Sequence, residues 1–169
     1  MRRFSVCIAA LIILLAAFMG GCAQSEEQPG ACCFTVTLLV RADALTDNLH
    51  LLDREMRELV PEDGLIFPAT VVNACEGESA FDLLQREMRQ AGIHMAFRNT
   101  PFYDSAYIIA IGNIFEFDAG ELSGWMYIVN GEFPGVGSPQ FLLSPGDIVE
   151  FVYTIDLGRD IGDYGLGGR

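Results

Sequence analysis

The order of elements along the chain predicts an α+β fold: two strands, one helix, then several strands. Three observations carry that prediction. "AFDLLQREMRQA" (80–91) places Phe81, Leu84, Met88 and Ala91 on one stripe, widened by Leu83, the period of a helix packed along one side. "WMYIV" (125–129) is an apolar run that ends in Asn130-Gly131, the pair that best supplies the two positive-φ residues of a type I′ turn. Gly and Pro separate the other apolar runs, as in mainly antiparallel strands that carry a helix on one sheet face.

The chain of 169 residues opens with "MRRFSVCIAALIILLAAFMGGC". Arg2 and Arg3, the apolar run Val6 to Phe18 and the small residues after it have the pattern of a secretory signal peptide over 1–21. The run is short for a spanning helix, which needs about 20 apolar residues. Met19-Gly20-Gly21-Cys22 resembles the bacterial lipobox, with Met19 where Leu is usual, so Cys22 is the expected lipidation site. The polar stretch that follows makes 22–31 a tether off a membrane surface. The expected location is the outer, extracytoplasmic face of the cell membrane.

"CCFTVTLLVRA" (32–42) is a strand by its β-branched and apolar content. Leu49, Leu52, Met56 and Leu59 recur at helical steps, which suits a short amphipathic helix or an ordered loop. "GLIFPATVVNACEG" (64–77) is a second strand, and Pro68 marks it as an edge or a bend. Ser79 caps the helix, with Asp82 three residues on in a capping-box arrangement and Gly92 at C′. Asp82 and Arg86 are spaced for an i,i+4 ion pair. "IHMAFRN", "AYIIAIGNIFEF", "WMYIVNG", "QFLL" and "DIVEFVYTI" then read as strands or strand fragments. The domain runs over 32–162, with a tail at 163–169.

Removal of the leader leaves about 148 residues, enough for one domain with one core. The net charge is −13, and losing Arg2 and Arg3 makes it more negative still. Such a surface repels phosphate backbones, which excludes nucleic acid as a partner. All ten basic residues are Arg, so Schiff-base chemistry and lysine cross-links are excluded. No catalytic constellation emerges. The chain has two histidines, His50 and His94, and lacks a Gly-x-Ser-x-Gly elbow, a phosphate loop and a His-Glu-x-x-His motif. Asp156, Asp160 and Asp163 in "DLGRDIGDYG" lack the spacing of a calcium loop, so this segment reads as a solvated extension and no metal site is assigned.

The aromatic residues carry the remaining signal. Trp125, the only tryptophan, shares a strand face with Tyr127 and Val129, while Met126 and Ile128 share the other. Both faces are apolar, so one meets the core and the other meets a loop or a ligand. Trp125, Tyr127, Phe133, Tyr103 and Tyr153 are the candidate ligand contacts, with Phe151 in the same set. Core packing competes for all of them, and Trp125 itself reads as a core plug with Phe133 at the rim of any site. Gly120, Gly124, Gly131, Gly135 and Gly137 flank this strand and would let a ligand approach the backbone.

"AYIIAIGNIFEFDAGELSGWMYIVNGEFPGVG" followed by "LSPGDIVEFVYTIDLGRDIG" resembles the transcobalamin-like C-terminal domain family, whose bacterial exported members carry a domain of unknown function. The resemblance rests on Glu76-Gly77-Glu78-Ser79 before the helix, Tyr107-Ile108, the Gly124–Gly131 hairpin motif, and Gly146-Asp147 before the aromatic strand Phe151–Tyr153. It implies a β-grasp-like fold. It also implies a non-catalytic binding module, with a corrinoid (cobalamin-like) or other small ligand. In transcobalamin a related domain covers one face of cobalamin together with a second, helical domain, for which this chain has no room. A protein- or glycan-interaction module at the cell surface is the alternative. Some family members carry cysteines near the hairpin and final strand, where this chain has Ala119, Ser138 and Ile155. In the β-grasp order the first two strands are antiparallel, so Cys32 or Cys33 should approach Cys75, with Cys33 preferred.

Overall fold

A computed structural model describes residues 33–100 and 105–161. The leader, Cys22, Cys32, Tyr103 and the tail at 163–169 lie outside these residues.

The described chain is α+β, with one helix and two sheets where one sheet was expected. Strand β1 (Cys33–Arg41) pairs with β2 (Leu65–Cys75) in antiparallel register. The helix α1 (Ala80–Ala91) follows. Strands β3 (Met95–Thr100), β4 (Ser105–Ile111) and the short β5 (Ile114–Phe115) form a three-stranded antiparallel sheet. Strand β6 (Gly124–Val129) pairs with β7 (Ile148–Thr154), and β7 runs parallel to β1. The larger sheet therefore has the order β2-β1-β7-β6, with β2 and β6 as its edges.

Alternation in β1 sends Val36, Leu38 and Val40 inward, all at most 1% exposed. They meet Leu83, Leu84 and Met88 of α1 together with Val149 and Phe151 of β7. A second cluster collects Leu45, Leu52, Ile114 and Tyr153, and Trp125 packs against both. The segment between β1 and β2 is not one helix. It is three short 3₁₀ turns that bury Leu45 and Leu52. Pro68 lies where the β1–β2 register slips, since Leu38 pairs with Thr70 but Val40 pairs with Phe67. An imino acid cannot donate to a ladder, so a bulge on an edge strand accommodates it.

The cap of α1 forms as expected: Ser79 Oγ accepts from the Asp82 N–H, and Asp82 returns to the Ser79 N–H. Gly92 closes the helix at φ 68°. The expected Asp82–Arg86 pair does not form, because Ser79 holds the Asp82 carboxylate at 2.6 Å. Arg86 instead reaches Glu78 at 3.0 Å, the Asn73 carbonyl at 2.6 Å, and Glu87. Ala91 is exposed, so the buried stripe ends at Met88. "QFLL" is not a strand. Its backbone bonds the start of the helix region instead, with Ala80 N–H to Phe141 O at 2.9 Å and Leu143 N–H to Glu78 O at 3.0 Å. At the far end of β1 and β2, Cys33 stands directly opposite Cys75, with Sγ atoms 3.4 Å apart.

Candidate functional site

The two ends of β6 differ, and the difference places the site. At the C-terminal end the Asn130-Gly131 turn forms, with φ 53° and 82°. It closes only one bridge, Val129 to Glu132, before the chain leaves on a long excursion and returns as β7. The Asn130 side chain fixes that return. Its Nδ2 donates to Asp147 at 2.9 Å and its Oδ1 accepts from the Ile148 N–H at 2.9 Å.

At the N-terminal end of β6 two loops meet around a cavity of about 390 Å³. The first loop, 116–123, leads from β5 into β6. Ser123, 4% exposed, bonds both Gly120 O and Ala119 N–H through its hydroxyl, and its carbonyl accepts from Phe117 N–H. The Asp118 carboxylate accepts from the Phe115 N–H at 2.7 Å. The second loop, 155–160, follows β7. Thr154 Oγ1 accepts from the N–H groups of Asp156 and Gly158 and donates to Asp160, which itself accepts from Ile155 N–H. Leu157 N–H donates to Leu122 O at 2.9 Å and ties one loop to the other. Asp160 is thus a clasp and Asp156 pairs with Arg159 at 2.9 Å, so the described part of the expected solvated extension, 156–161, is a fastened loop, while Asp163 lies outside the described residues.

The cavity wall is mostly carbon. Phe117, Leu122 and Leu157 stand on the loops, all more than two-fifths exposed. Trp125 and Met126 come from β6, and Tyr107 from β4. Other apolar side chains, such as Val71 and Leu142, are as open, but Phe117, Leu122 and Leu157 are gathered around one cavity, and contiguous exposed apolar side chains mark a binding face. The Tyr107 hydroxyl donates to Glu116, and Arg98 lies 5.7 Å over its ring. Burial first, and then Glu116, push the Tyr107 phenol up to about 12. It therefore stays protonated across the physiological range. Arg159, paired with Asp156, is the charged residue of the lining.

Of the aromatic candidates among the described residues, only Trp125 lines this cavity. It is wall and core at once, with the indole N–H donating to Ile114 O at 3.0 Å and the ring edge-on to Tyr153 at 5.3 Å. Tyr153 does not line the cavity. It is 0% exposed, because its register partner Trp125 and the second core cluster enclose it. Its hydroxyl lies 2.8 Å from Phe115 O and 3.0 Å from Ser123 Oγ, so it buttresses the first loop from below. Burial pushes its phenol up. Tyr127 stacks on Phe151 at 5.8 Å and donates to Val136 O, and burial pushes it up to about 12. It packs with the core and lies outside the cavity wall. Phe133 follows the turn at the opposite end of β6, roughly 17 Å away for a six-residue strand. Sequence reasoning missed Phe117, Leu122, Leu157 and Arg159, which lie in loops without periodicity; Gly120 and Gly158 beside them were the available signal.

Among the described residues no group of three or more His, Cys, Asp or Glu is placed to hold a metal, and no helix is long and apolar enough to cross a membrane. No curated protein matches the chain. Among solved structures it is similar to haptocorrin in complex with Cbi, at 14% identity and a TM-score of 0.52. That match covers 76% of this chain and 26% of haptocorrin, so the chain spans about a quarter of that protein, and the likeness is one of fold. It is also similar to a candidate metal binding protein from Ruminococcus gnavus ATCC 29149, at 13% identity and a TM-score of 0.40, over 72% of this chain and 96% of that one. Residues 77–154, which hold the helix, strands β4, β6 and β7 and the first loop, match the family model described as Domain of unknown function (DUF4430).

Proposed function

We propose that the protein is a surface-tethered, non-catalytic binding module whose ligand seat is the cavity at the N-terminal end of β6, with a corrinoid as its ligand. The observation that carries the reading is an apolar cavity of about 390 Å³ set on a hydrogen-bonded strand pair, within the size range of small-molecule sites. The non-catalytic reading is supported by its polar groups. The Ser123 and Thr154 hydroxyls are already engaged by neighbouring backbone, and among the described residues no His or Cys lines the wall. The corrinoid rests on the likeness to haptocorrin, which was crystallised with Cbi. An open cavity of this size suits one edge or face of a large flat ligand, with the remainder outside.

The fold is assigned as β-grasp-like within the same reading. Its support is the mixed sheet order β2-β1-β7-β6 with a parallel central pair and one packed helix. The anchor is assigned to Cys22, on the lipobox pattern. In cells, Cys22→Ala is expected to release the protein from membranes or block maturation; membrane-retained, processed protein in that variant refutes the anchor. A disulfide between Cys33 and Cys75 is also assigned, supported by their direct opposition in register. It should stabilise the oxidised chain by about 3 to 4 kcal/mol in the loop-entropy model. Non-reducing peptide mapping that finds Cys75 as a thiol removes it.

Titration of cobinamide into the mature chain tests the function, followed by Trp fluorescence and calorimetry. Quenching of Trp125 with saturable heat is expected, and weakened binding in Trp125→Phe. Absence of any saturable signal for cobinamide and cobalamin rejects the corrinoid. The interaction-module alternative has one observation in its favour. Val129 N–H turns away from β7 to Glu132, so by alternation Trp125 and Tyr127 direct their backbone groups to the open edge of β6, where they meet no partner strand among the described residues.

A further inference from the structure

Among the described residues, four that are not glycine hold a positive φ: Asn113 at 63°, Phe117 at 69°, Asn130 at 53° and Leu157 at 51°. The two asparagines sit in tight turns, where Asn visits this region readily. Phe117 and Leu157 are different. A bulky residue in the left-handed region is strained, because its Cβ crowds the following carbonyl oxygen. Both strained residues line the same cavity, and both side chains are largely open, at 57% and 52% exposed.

The backbone accounts for how each conformation is held. Phe117 N–H bonds Ser123 O and its carbonyl accepts from Gly120 N–H. Leu157 N–H bonds Leu122 O, and Thr154 Oγ1 holds the N–H groups on either side of it. None of these bonds uses the side chain of Phe117 or Leu157. A glycine at either position would make the same bonds without strain. Side chains this exposed bury little area and add little to folding. The fold therefore gains nothing evident from Phe and Leu here, and strain that persists at a cleft points to a contact outside the chain.

We infer that Phe117 and Leu157 are a pair of jaws that grip the apolar body of a small ligand, with Trp125 as the inner wall between them. The inference rests on the reading of this cavity as the ligand seat. It narrows the ligand class: the gripped part is carbon-rich and uncharged, because jaws and wall are carbon and the two hydroxyls are already engaged. Polar substituents belong at the mouth, beside Arg159 and Tyr107.

The test uses the mature chain with Phe117→Gly, Leu157→Gly and the pair, against cobinamide and 1-anilinonaphthalene-8-sulfonate, a dye with an apolar aromatic body and one sulfonate. Affinity is read by fluorescence titration, and stability by melting without ligand. Each single glycine is expected to melt no lower than the parent while binding about tenfold more weakly, and the pair about a hundredfold. Phe117→Ala keeps the strain and loses the jaw, so it should bind as poorly as Phe117→Gly and melt lower than it. Glycine variants that melt lower than the parent would assign both residues to the fold and overturn the inference. Parent affinity retained in both, while Trp125→Phe still weakens binding, overturns the jaws alone and leaves the seat standing. A parent chain that binds neither probe removes the seat and the jaws together.

Discussion

At the turn end of β6 the left-handed backbone falls on Asn130, Gly131 and, before β7, Gly146; at the cavity end it falls on Phe117 and Leu157 as well as Gly120 and Gly158. The first set suits its residues: Asn and Gly accept positive φ, and the Asn130 side chain adds two bonds to the start of β7. The second set puts bulky apolar residues where glycine would be easier. The turn end is organised for the chain's own closure. The cavity end carries conformations that its own packing does not require, and they are where a ligand would be met.

Substitutions can break this contrast or sharpen it. The largest effect should come from Tyr153→Ala, which empties a fully buried site beneath the cavity loops. A cost of about 3 to 5 kcal/mol is expected in denaturant unfolding. Tyr153→Phe should cost about 1 kcal/mol and loosen the 116–123 loop, read as faster amide exchange at Phe117 than at Val129. Equal exchange at both would mean that Tyr153 does not buttress the loop. Asn130→Ala loses two side-chain bonds and gains strain, so about 2 kcal/mol should be lost. Leu157→Gly, with nearly the same φ, should lose none; if both variants lose stability alike, the two ends do not differ in kind.

The smallest effect is titration. Tyr107 near the cavity and Tyr127 in the core both have phenols pushed up to about 12 from the usual 10. A raised folded value favours the neutral form, so the stability it confers is present below pH 10 and is lost as pH climbs through about 12. Glu116 contributes at Tyr107 but not at Tyr127, where burial acts alone. Glu116→Gln should therefore lower the Tyr107 phenolate transition and leave that of Tyr127 in place, as followed by ultraviolet absorbance. Movement of both would assign the shift to a general loosening.

The parts of the molecule legible in its sequence are those governed by near neighbours. Ser79 and Asp82 mark the helix start because a cap is a four-residue event. Asn130-Gly131 marks the turn for the same reason, and Pro68 marks an edge because it cannot donate. Arg86 was misassigned since its partners, Glu78 and the Asn73 carbonyl, come together only when β2 docks beside the helix. The "QFLL" segment has strand composition, yet its backbone partners are near the helix cap. Trp125 stands out in the sequence as the lone tryptophan beside a turn, and it both packs against the core and lines the cavity. Phe117 and Leu157 were invisible because positive φ on such residues has no signature in composition or period. The family model covers strands β3 to β7 and ends at residue 154, before the second loop.

The clasps at Ser123 and Thr154 hold the cavity loops by hydroxyl-to-backbone bonds, and the side chains that point into the cavity take no part in them. Shape and affinity at the cavity can then drift apart in evolution. Substitutions at 117, 122 and 157 would reshape the cavity wall while the two hydroxyls keep the loops in place and the core beneath is untouched. One scaffold could supply many relatives with different cargo, each reached by a few surface changes and without passing through an unfolded ancestor.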